Sequence, residues 1–191
     1  SNSVSAAEHT MALLLAQARN IPQAHADLVA GRWNRSQWAG VELADKTLGI
    51  IGLGRIGRMV AKRAAAFGMR CIAHDPFVAE ESALRAGVEM RPLEELMAES
   101  DFVTLHLART PETVGLLDAE MLNRSKPGLR LVNVARGGIV DEEALAEAVR
   151  AGIVAGAAID VFAEEPTTVS PLFGLPGVIV TPHLGASTVE A

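Results

Sequence analysis

The chain has 191 residues, 49% hydrophobic and 21% charged, with a formal net charge of −6; this allows one well-buried domain and excludes a disordered chain. The acidic balance, with no run of Lys or Arg, speaks against a nucleic-acid partner. The lone Cys71 excludes an internal disulfide and suits a reducing, cytoplasmic setting, and no apolar run approaches the roughly 18 residues of a membrane span.

Ser1, alone or with Asn2, reads as a tag scar. Ser5 and Glu8 then have the spacing of a helix capping box, and Ala7, Met11, Leu14, Leu15 and Ala18 recur at helical spacing. Pro22 suits the first turn of a second helix that stops near Gly31. Trp33 and Trp38 follow in a polar stretch, where exposed indoles would waste a large apolar area, so they are expected to pack against something, either within the chain or on a partner subunit.

From Thr47 the pattern becomes strand, turn and helix in repetition. Strands are expected at 47–51, 70–74, 102–107, 129–134, 154–159 and 178–181, with helices at 55–67, 80–86, 93–99, 119–123 and 142–151. The last is marked by Asp141 as N-cap, acids in its first turn and Gly152 as stop. Near-continuous apolar strands alternating with helices predict an α/β fold with a parallel sheet covered on both faces.

Gly52-Leu53-Gly54-Arg55-Ile56-Gly57 follows a predicted strand, opens a helix, and is followed about 20 residues on by an acid, Asp75. That context makes it a Rossmann-type dinucleotide-binding loop in a doubly wound sheet. Gly52 permits the tight turn, Gly54 lets backbone approach a pyrophosphate, and Gly57 lets the helix sit close to the sheet. The helix N-terminus offers unpaired N–H groups to the phosphates, and Arg55 can add a contact. Asp75 can accept the adenosine ribose hydroxyls and would repel a 2′-phosphate, which predicts NAD(H) over NADP(H). The bland alternative for Asp75-Pro76 is a capped turn.

Arg136, Glu165 and His183 each follow a predicted strand, on the carboxyl edge where open α/β sheets bind ligands. Each alone has an ordinary reading, as a surface arginine, a solvated acid or a structural histidine. Together they suit reduction of a 2-keto acid. An imidazolium supplies the proton, a carboxylate orients it, and a guanidinium fork holds the substrate carboxylate and polarises its carbonyl. Asp160, at the end of a strand, can contact a nicotinamide amide. No metal site is expected.

Gly-Leu-Gly-Arg-Ile-Gly, Asn133-Val134-Ala135-Arg136-Gly137-Gly138, Asp160-Val161-Phe162-Ala163-Glu164-Glu165-Pro166 and Thr181-Pro182-His183 occur together and in order. In this the chain resembles the D-isomer-specific 2-hydroxyacid dehydrogenases over essentially its whole length. The resemblance implies Arg136, Glu165 and His183 as the catalytic set, Glu165 and not Glu164 as the acid, and Ile56, Ala135, Asp160, His183 and Gly185 near the cofactor. It also implies that the loop carrying Thr110 and Pro111 borders the adenine and nicotinamide. Ala108 stands where the family usually has proline, so a looser backbone is expected there. The segments 3–9 and 181–188 resemble members acting on a phosphorylated 2-hydroxy acid. Glu165 disfavours a formate dehydrogenase, and Asp75 disfavours the NADP-using glyoxylate and hydroxypyruvate reductases. An NADH-sensing corepressor with the same fold is the alternative class.

The resemblance further implies a homodimer through the first helices and the Trp33 loop. It divides the chain into 1–40 (inter-domain or dimer helices and Trp loop), 41–185 (Rossmann core) and 186–191 (the return to a substrate domain). The chain is accordingly expected to be an excised cofactor-binding domain that binds cofactor with little or no turnover.

Overall fold

The computed structural model describes residues 2–191; the reading of Ser1 lies outside them. Seven strands form one sheet: β1 (Thr47–Ile51), β2 (Arg70–His74), β3 (Glu89–Met90), β4 (Phe102–Leu105), β5 (Leu129–Asn133), β6 (Val154–Ile159) and β7 (Val178–Val180). Their order is β3-β2-β1-β4-β5-β6-β7, and every pairing is parallel. The order reverses between β1 and β4, and that reversal opens a crevice beyond the strand ends, as in doubly wound sheets that bind dinucleotides.

Both faces are covered, and successive strand residues alternate between them. Leu48, Ile50 and Val132 face a core shared with α1 (Asn2–Ala18) and α3 (Arg55–Ala66), which contribute Ala7, Met11, Leu14, Val60 and Ala64. Ile51, Val103 and Leu131 face the opposite core, built with α5 (Leu93–Glu99), α6 (Ala119–Asn123) and α7 (Glu142–Arg150) through Leu96, Leu122 and Leu145. Phe162 and Phe173 close that core edge to face, with ring centroids 5.7 Å apart. Asp118 and Asp141 cap α6 and α7 by accepting from the Met121 and Ala144 amides, each satisfying a helix-end N–H. The remaining helices are α2 (Ile21–Val29), α4 (Glu80–Arg85) and a short 3₁₀ turn, Arg35–Trp38.

Two local expectations need correction. The Ser5–Glu8 pair does not start a helix, because α1 already runs from Asn2. Ser5 is buried within it, and its hydroxyl meets Thr188 Oγ1 at 2.7 Å instead of capping a backbone amide. The sheet also has a strand that the pattern did not announce. β3 is two residues long and pairs only at the edge, Glu89 and Met90 against Ile72 and Ala73.

Trp33 and Trp38 part company. The Trp38 indole N–H donates to Asp27 Oδ2 at 2.9 Å, and Asp27 also accepts from Arg32 Nε and Asn34 Nδ2. Trp33, on the loop so pinned, is 79% exposed.

Candidate active site

At the end of β1 the backbone turns at Gly52, with φ +96°. A Cβ there would lie 2.4 Å from His106 O, so only glycine fits. Gly57 is closed in the same way, with Gly52 O 2.3 Å from its would-be Cβ, which is what lets α3 seat against the turn. Gly54 is the opposite: a Cβ would meet nothing within 4 Å. It is the N-cap of α3 and supplies no side-chain cap, so the first-turn amides face open space. A cradle that is closed beneath and open above, at a helix N-terminus, fits the pyrophosphate of a dinucleotide. Asp75 braces it by accepting from the Leu53 amide through Oδ2 and from the Phe77 amide through Oδ1, both at 2.9 Å. Each oxygen keeps a lone pair for a ribose hydroxyl.

Beside this cradle lies a cleft of about 640 Å³, lined by Ala6 of α1, Ile56 of α3, His106 and Leu107 after β4, Val134, Ala135 and Arg136 after β5, and His183 and Gly185 after β7. The lining is mostly apolar, with a cationic side chain and two imidazoles among it, as small-molecule sites commonly are. Burial pushes the His106 imidazole down to about 4, and Thr104 Oγ1 meets its Nε2 at 2.9 Å.

The turn that carries Arg136 is locked by its neighbour. Asn133, 2% exposed, donates from Nδ2 to Arg136 O and accepts from the Ala135 amide at Oδ1, both at 3.0 Å. Arg136 Nη1 donates to Ala135 O at 2.6 Å, leaving the rest of the exposed guanidinium fork available.

Glu165 and His183 are 18 residues apart in the chain and hydrogen-bonded in space, His183 Nδ1 to Glu165 Oε1 at 2.5 Å. The other carboxylate oxygen accepts from the Phe162 amide at 2.9 Å. Burial pushes the Glu165 carboxyl up, but the bonds from His183 and Phe162 and the charges of His183 and Arg136 outweigh it and hold the group below its ordinary range. With Nδ1 engaged, Nε2 is the His183 nitrogen free to exchange a proton with a ligand. His183 sits at φ +54°, a left-handed conformation uncommon for a side-chain-bearing residue. A second cavity, lined by Phe162, Glu165, Pro166, Thr167 and Pro182, also reaches His183.

Gly52, Gly54, Arg55 and Gly57 form the cradle, Asp75 lies at its foot, and Ile56, Ala135, Arg136, His183 and Gly185 line the cleft. Glu165 reaches it through His183. Thr110 and Pro111 are not among the cleft's lining residues; His106, Leu107 and Ala108 take that place. The backbone at Ala108 is held by a side chain, since Thr113 Oγ1 donates to Ala108 O at 2.8 Å and accepts from the Thr110 amide at 2.8 Å. Asp160 is fully buried beneath the cleft, its carboxylate turned to the loop 181–185. Sequence reasoning gave no role to His9, His106 or Thr113; His9 acts through Thr181, far along the chain, and His106 lines the cleft and meets Thr104. No cluster of three or more metal-ligating side chains occurs among the described residues, and none of their helices is long and apolar enough to cross a membrane.

Residues 11–185 match the family model described as D-isomer specific 2-hydroxyacid dehydrogenase, NAD binding domain. Among curated proteins, the D-3-phosphoglycerate dehydrogenase of Mycobacterium leprae is 56% identical over 191 residues, covering 100% of this chain and 36% of its own length. That of Bacillus subtilis is 52% identical over 190 residues, again 36% of its length. The chain therefore spans little more than a third of these relatives. Among solved structures, the TT0316 protein of Thermus thermophilus has a TM-score of 0.89 at 42% identity, over 96% of this chain and 58% of its own. An NAD-dependent formate dehydrogenase of Staphylococcus aureus, in complex with NAD, has a TM-score of 0.92 at 38% identity, over 99% of this chain and 57% of its own. With a matched family model over most of its length and the glycine cradle in place, the chain belongs to the D-isomer-specific 2-hydroxyacid dehydrogenase family, as its NAD-binding domain.

Proposed function

We propose that the chain is the cofactor-binding part of an enzyme that oxidises D-3-phosphoglycerate to 3-phosphohydroxypyruvate, the first step of serine biosynthesis, and that Arg136, Glu165 and His183 are its catalytic residues. The observation that carries the reading is the His183–Glu165 hydrogen bond, 2.5 Å long, with His183 and Arg136 lining one cleft beside the glycine cradle. The substrate class rests on the curated relatives, which are named D-3-phosphoglycerate dehydrogenases.

NAD held in the glycine cradle would supply the hydride acceptor for C2 of the 2-hydroxy acid. The chain's own residues do the rest. Arg136 pairs with the substrate carboxylate through its planar fork and polarises the C2 oxygen. His183 Nε2 accepts the hydroxyl proton as the carbonyl forms, and delivers it to the alkoxide on reduction. Glu165 holds Nδ1–H, fixes the tautomer, and stabilises the imidazolium. The cradle of Gly52, Gly54, Arg55 and Gly57 would bind the pyrophosphate, with Ile56, Ala135 and Gly185 around the nicotinamide half and the loop of Thr110 and Pro111 at its border. Asp160, expected from sequence to contact the nicotinamide amide, is fully buried and would act there through the 181–185 turn instead. Asp75 accepts the ribose hydroxyls and repels a 2′-phosphate, so NADH is preferred to NADPH. The remaining substrate contacts come from a substrate domain elsewhere in a longer enzyme, and the 191-residue chain alone binds cofactor with little or no turnover.

Calorimetric titration with NADH and then NADPH tests the cofactor reading: clear NADH binding with little for NADPH supports it, and equal affinities overturn it. Substantial turnover of 3-phosphohydroxypyruvate by this chain would overturn the division of labour. For assembly, the 79% exposed Trp33 supports a homodimer contact. An indole held out on a loop that Asp27 pins is suited to a pocket on a second copy. Sedimentation of Trp33→Ala beside the parent is expected to show weakened dimerisation, and unchanged dimerisation removes the contact.

A further inference from the structure

A fully buried carboxylate needs a partner for its charge and for its lone pairs. Asp160, 0% exposed, has four. Thr181 Oγ1 and the Leu184 amide donate to Oδ1 at 2.6 and 2.7 Å, and the Gly185 amide donates to Oδ2 at 3.0 Å. The fourth comes from α1, where His9 Nε2 lies 3.3 Å from Asp160 Oδ1 and 3.4 Å from Thr181 Oγ1. Among the described residues, His9 is the basic side chain that reaches Asp160, and no lysine or arginine does so.

The protons in this group can be assigned. An ionised Asp160 only accepts, so the single hydroxyl proton of Thr181 goes to it. The Thr181 oxygen is then left to accept from His9. The His9–Thr181 contact therefore requires a proton on Nε2, and Asp160 Oδ1 lies 3.3 Å from the same nitrogen. One helical turn before His9, on the same face of α1, Ser5 Oγ meets Thr188 Oγ1 at 2.7 Å. α1 thus grips the segment 181–188 near both ends. Between the grips lies His183 in its left-handed conformation, whose amide donates to Asp160 O at 2.9 Å.

We propose that His9 is a positioning residue for the active site: through Thr181 and Asp160 it fixes the turn that holds the His183 ring against Glu165. The inference deepens the catalytic reading of His183 and rests on it for its functional meaning. Its structural content is independent, because α1 would set the ring's place whatever ligand the cleft takes.

The test uses the 191-residue chain with two substitutions at His9 and two signals that require no turnover. One signal is hydrogen exchange at the Leu184 and Gly185 amides. The other is the low-field proton resonance of the His183–Glu165 hydrogen bond. His9→Leu is expected to speed exchange at both amides by about tenfold or more, the scale of one hydrogen bond to a charged group, and to shift or broaden the low-field resonance. His9→Gln keeps an N–H donor and restores most of both. Amides of β1 and β5 report whether the sheet is intact. Should His9→Leu unfold them, Thr181→Val breaks the same relay from the other side with little change of volume, and is expected to give the same pair of effects. Parent-like exchange at 184 and 185 overturns the proposal, and so does faster exchange with an unmoved low-field proton. Failure of the catalytic reading shows elsewhere, as unimpaired turnover by His183→Asn in the full-length enzyme.

Discussion

Alanine at Gly54 and alanine at Gly57 should separate ligand access from helix seating, although the two glycines are three residues apart in one loop. At Gly54 the backbone is extended, with φ −83° and ψ −155°, and a Cβ meets nothing within 4 Å. The reduced freedom of the unfolded chain stabilises by about 0.4–1 kcal/mol, offset by a similar loss, about 1 kcal/mol, for alanine at an N-cap. The melting temperature is therefore expected to stay within roughly 2 °C of the parent. At Gly57 the new Cβ would sit 2.3 Å from Gly52 O, where real Cβ contacts essentially never fall under 3.0 Å, so helix and turn must part by 3.0 − 2.3 = 0.7 Å. Overpacking of this kind costs about 1–3 kcal/mol, and alanine's helix propensity recovers about 1 kcal/mol of it. The upper end of the net, about 2 kcal/mol, lowers the melting temperature by roughly 4–8 °C for a chain of this size. NADH affinity should fall in both variants, by about tenfold or more in Gly54→Ala, whose methyl stands where the pyrophosphate approaches the backbone. Thermal unfolding by circular dichroism and calorimetric titration with NADH read the two quantities separately. A Gly54→Ala chain that melts several degrees lower yet binds NADH like the parent would refute the reasoning.

Three further substitutions probe the charges. Asp75→Ala removes the acceptors of the Leu53 and Phe77 amides together with the repulsion of a 2′-phosphate, so NADH affinity should drop by about tenfold and the NADH/NADPH ratio should shrink in calorimetry; an unchanged ratio assigns the preference elsewhere. Glu165 titrates below its ordinary range in the folded chain, so its stabilising contribution is complete above the unfolded carboxyl's value of about 4.3 and is lost as pH falls through the lower folded value. The parent should accordingly outlast Glu165→Gln in thermal melts near neutrality, with the two curves converging below about pH 4, and parallel curves throughout would count against the pairing. His106, held down to about 4 by burial, resists protonation that the unfolded chain accepts below about 6.5. Its contribution to stability is therefore present above that value and is eroded as pH falls towards the folded one, and His106→Asn should flatten the melting temperature between about pH 7 and pH 5.

What could be read from sequence was what depends on neighbours along the chain. The apolar runs of β1, β2, β4, β5 and β6 are buried on both faces and need no polar alternation, so their composition alone marks them. The glycine cradle is equally local, since turn, close approach and helix start fall within six residues. β3 left no mark because two edge residues paired on one side, Glu89 and Met90, need neither apolarity nor β-branching. The Ser5–Glu8 spacing was misleading for a related reason: the same residue types serve as caps at a helix start and as tertiary hydrogen-bonding groups inside one, and only the position of the first turn decides between them. Arg136, Glu165 and His183 were legible through motifs around each, yet their approach in space depends on the β5, β6 and β7 order. The His9–Thr181–Asp160 contacts had no local signature, since a histidine on a helix face differs from an ordinary one only by what packs above it.

The seating of α1 carries a consequence for the order in which the molecule can be made. Gln17 donates to Leu131 O, and Ser5 meets Thr188, so α1 leaves the ribosome well before the residues that seat it. At a synthesis rate of roughly 5–20 residues per second, that interval is on the order of ten seconds or more. Part of its apolar face, Leu13 and Leu14 included, has no finished sheet to cover it meanwhile. Nascent chains should therefore be open to chaperone capture at α1, and refolding from denaturant should be limited by closure of these distant contacts rather than by formation of the helix itself.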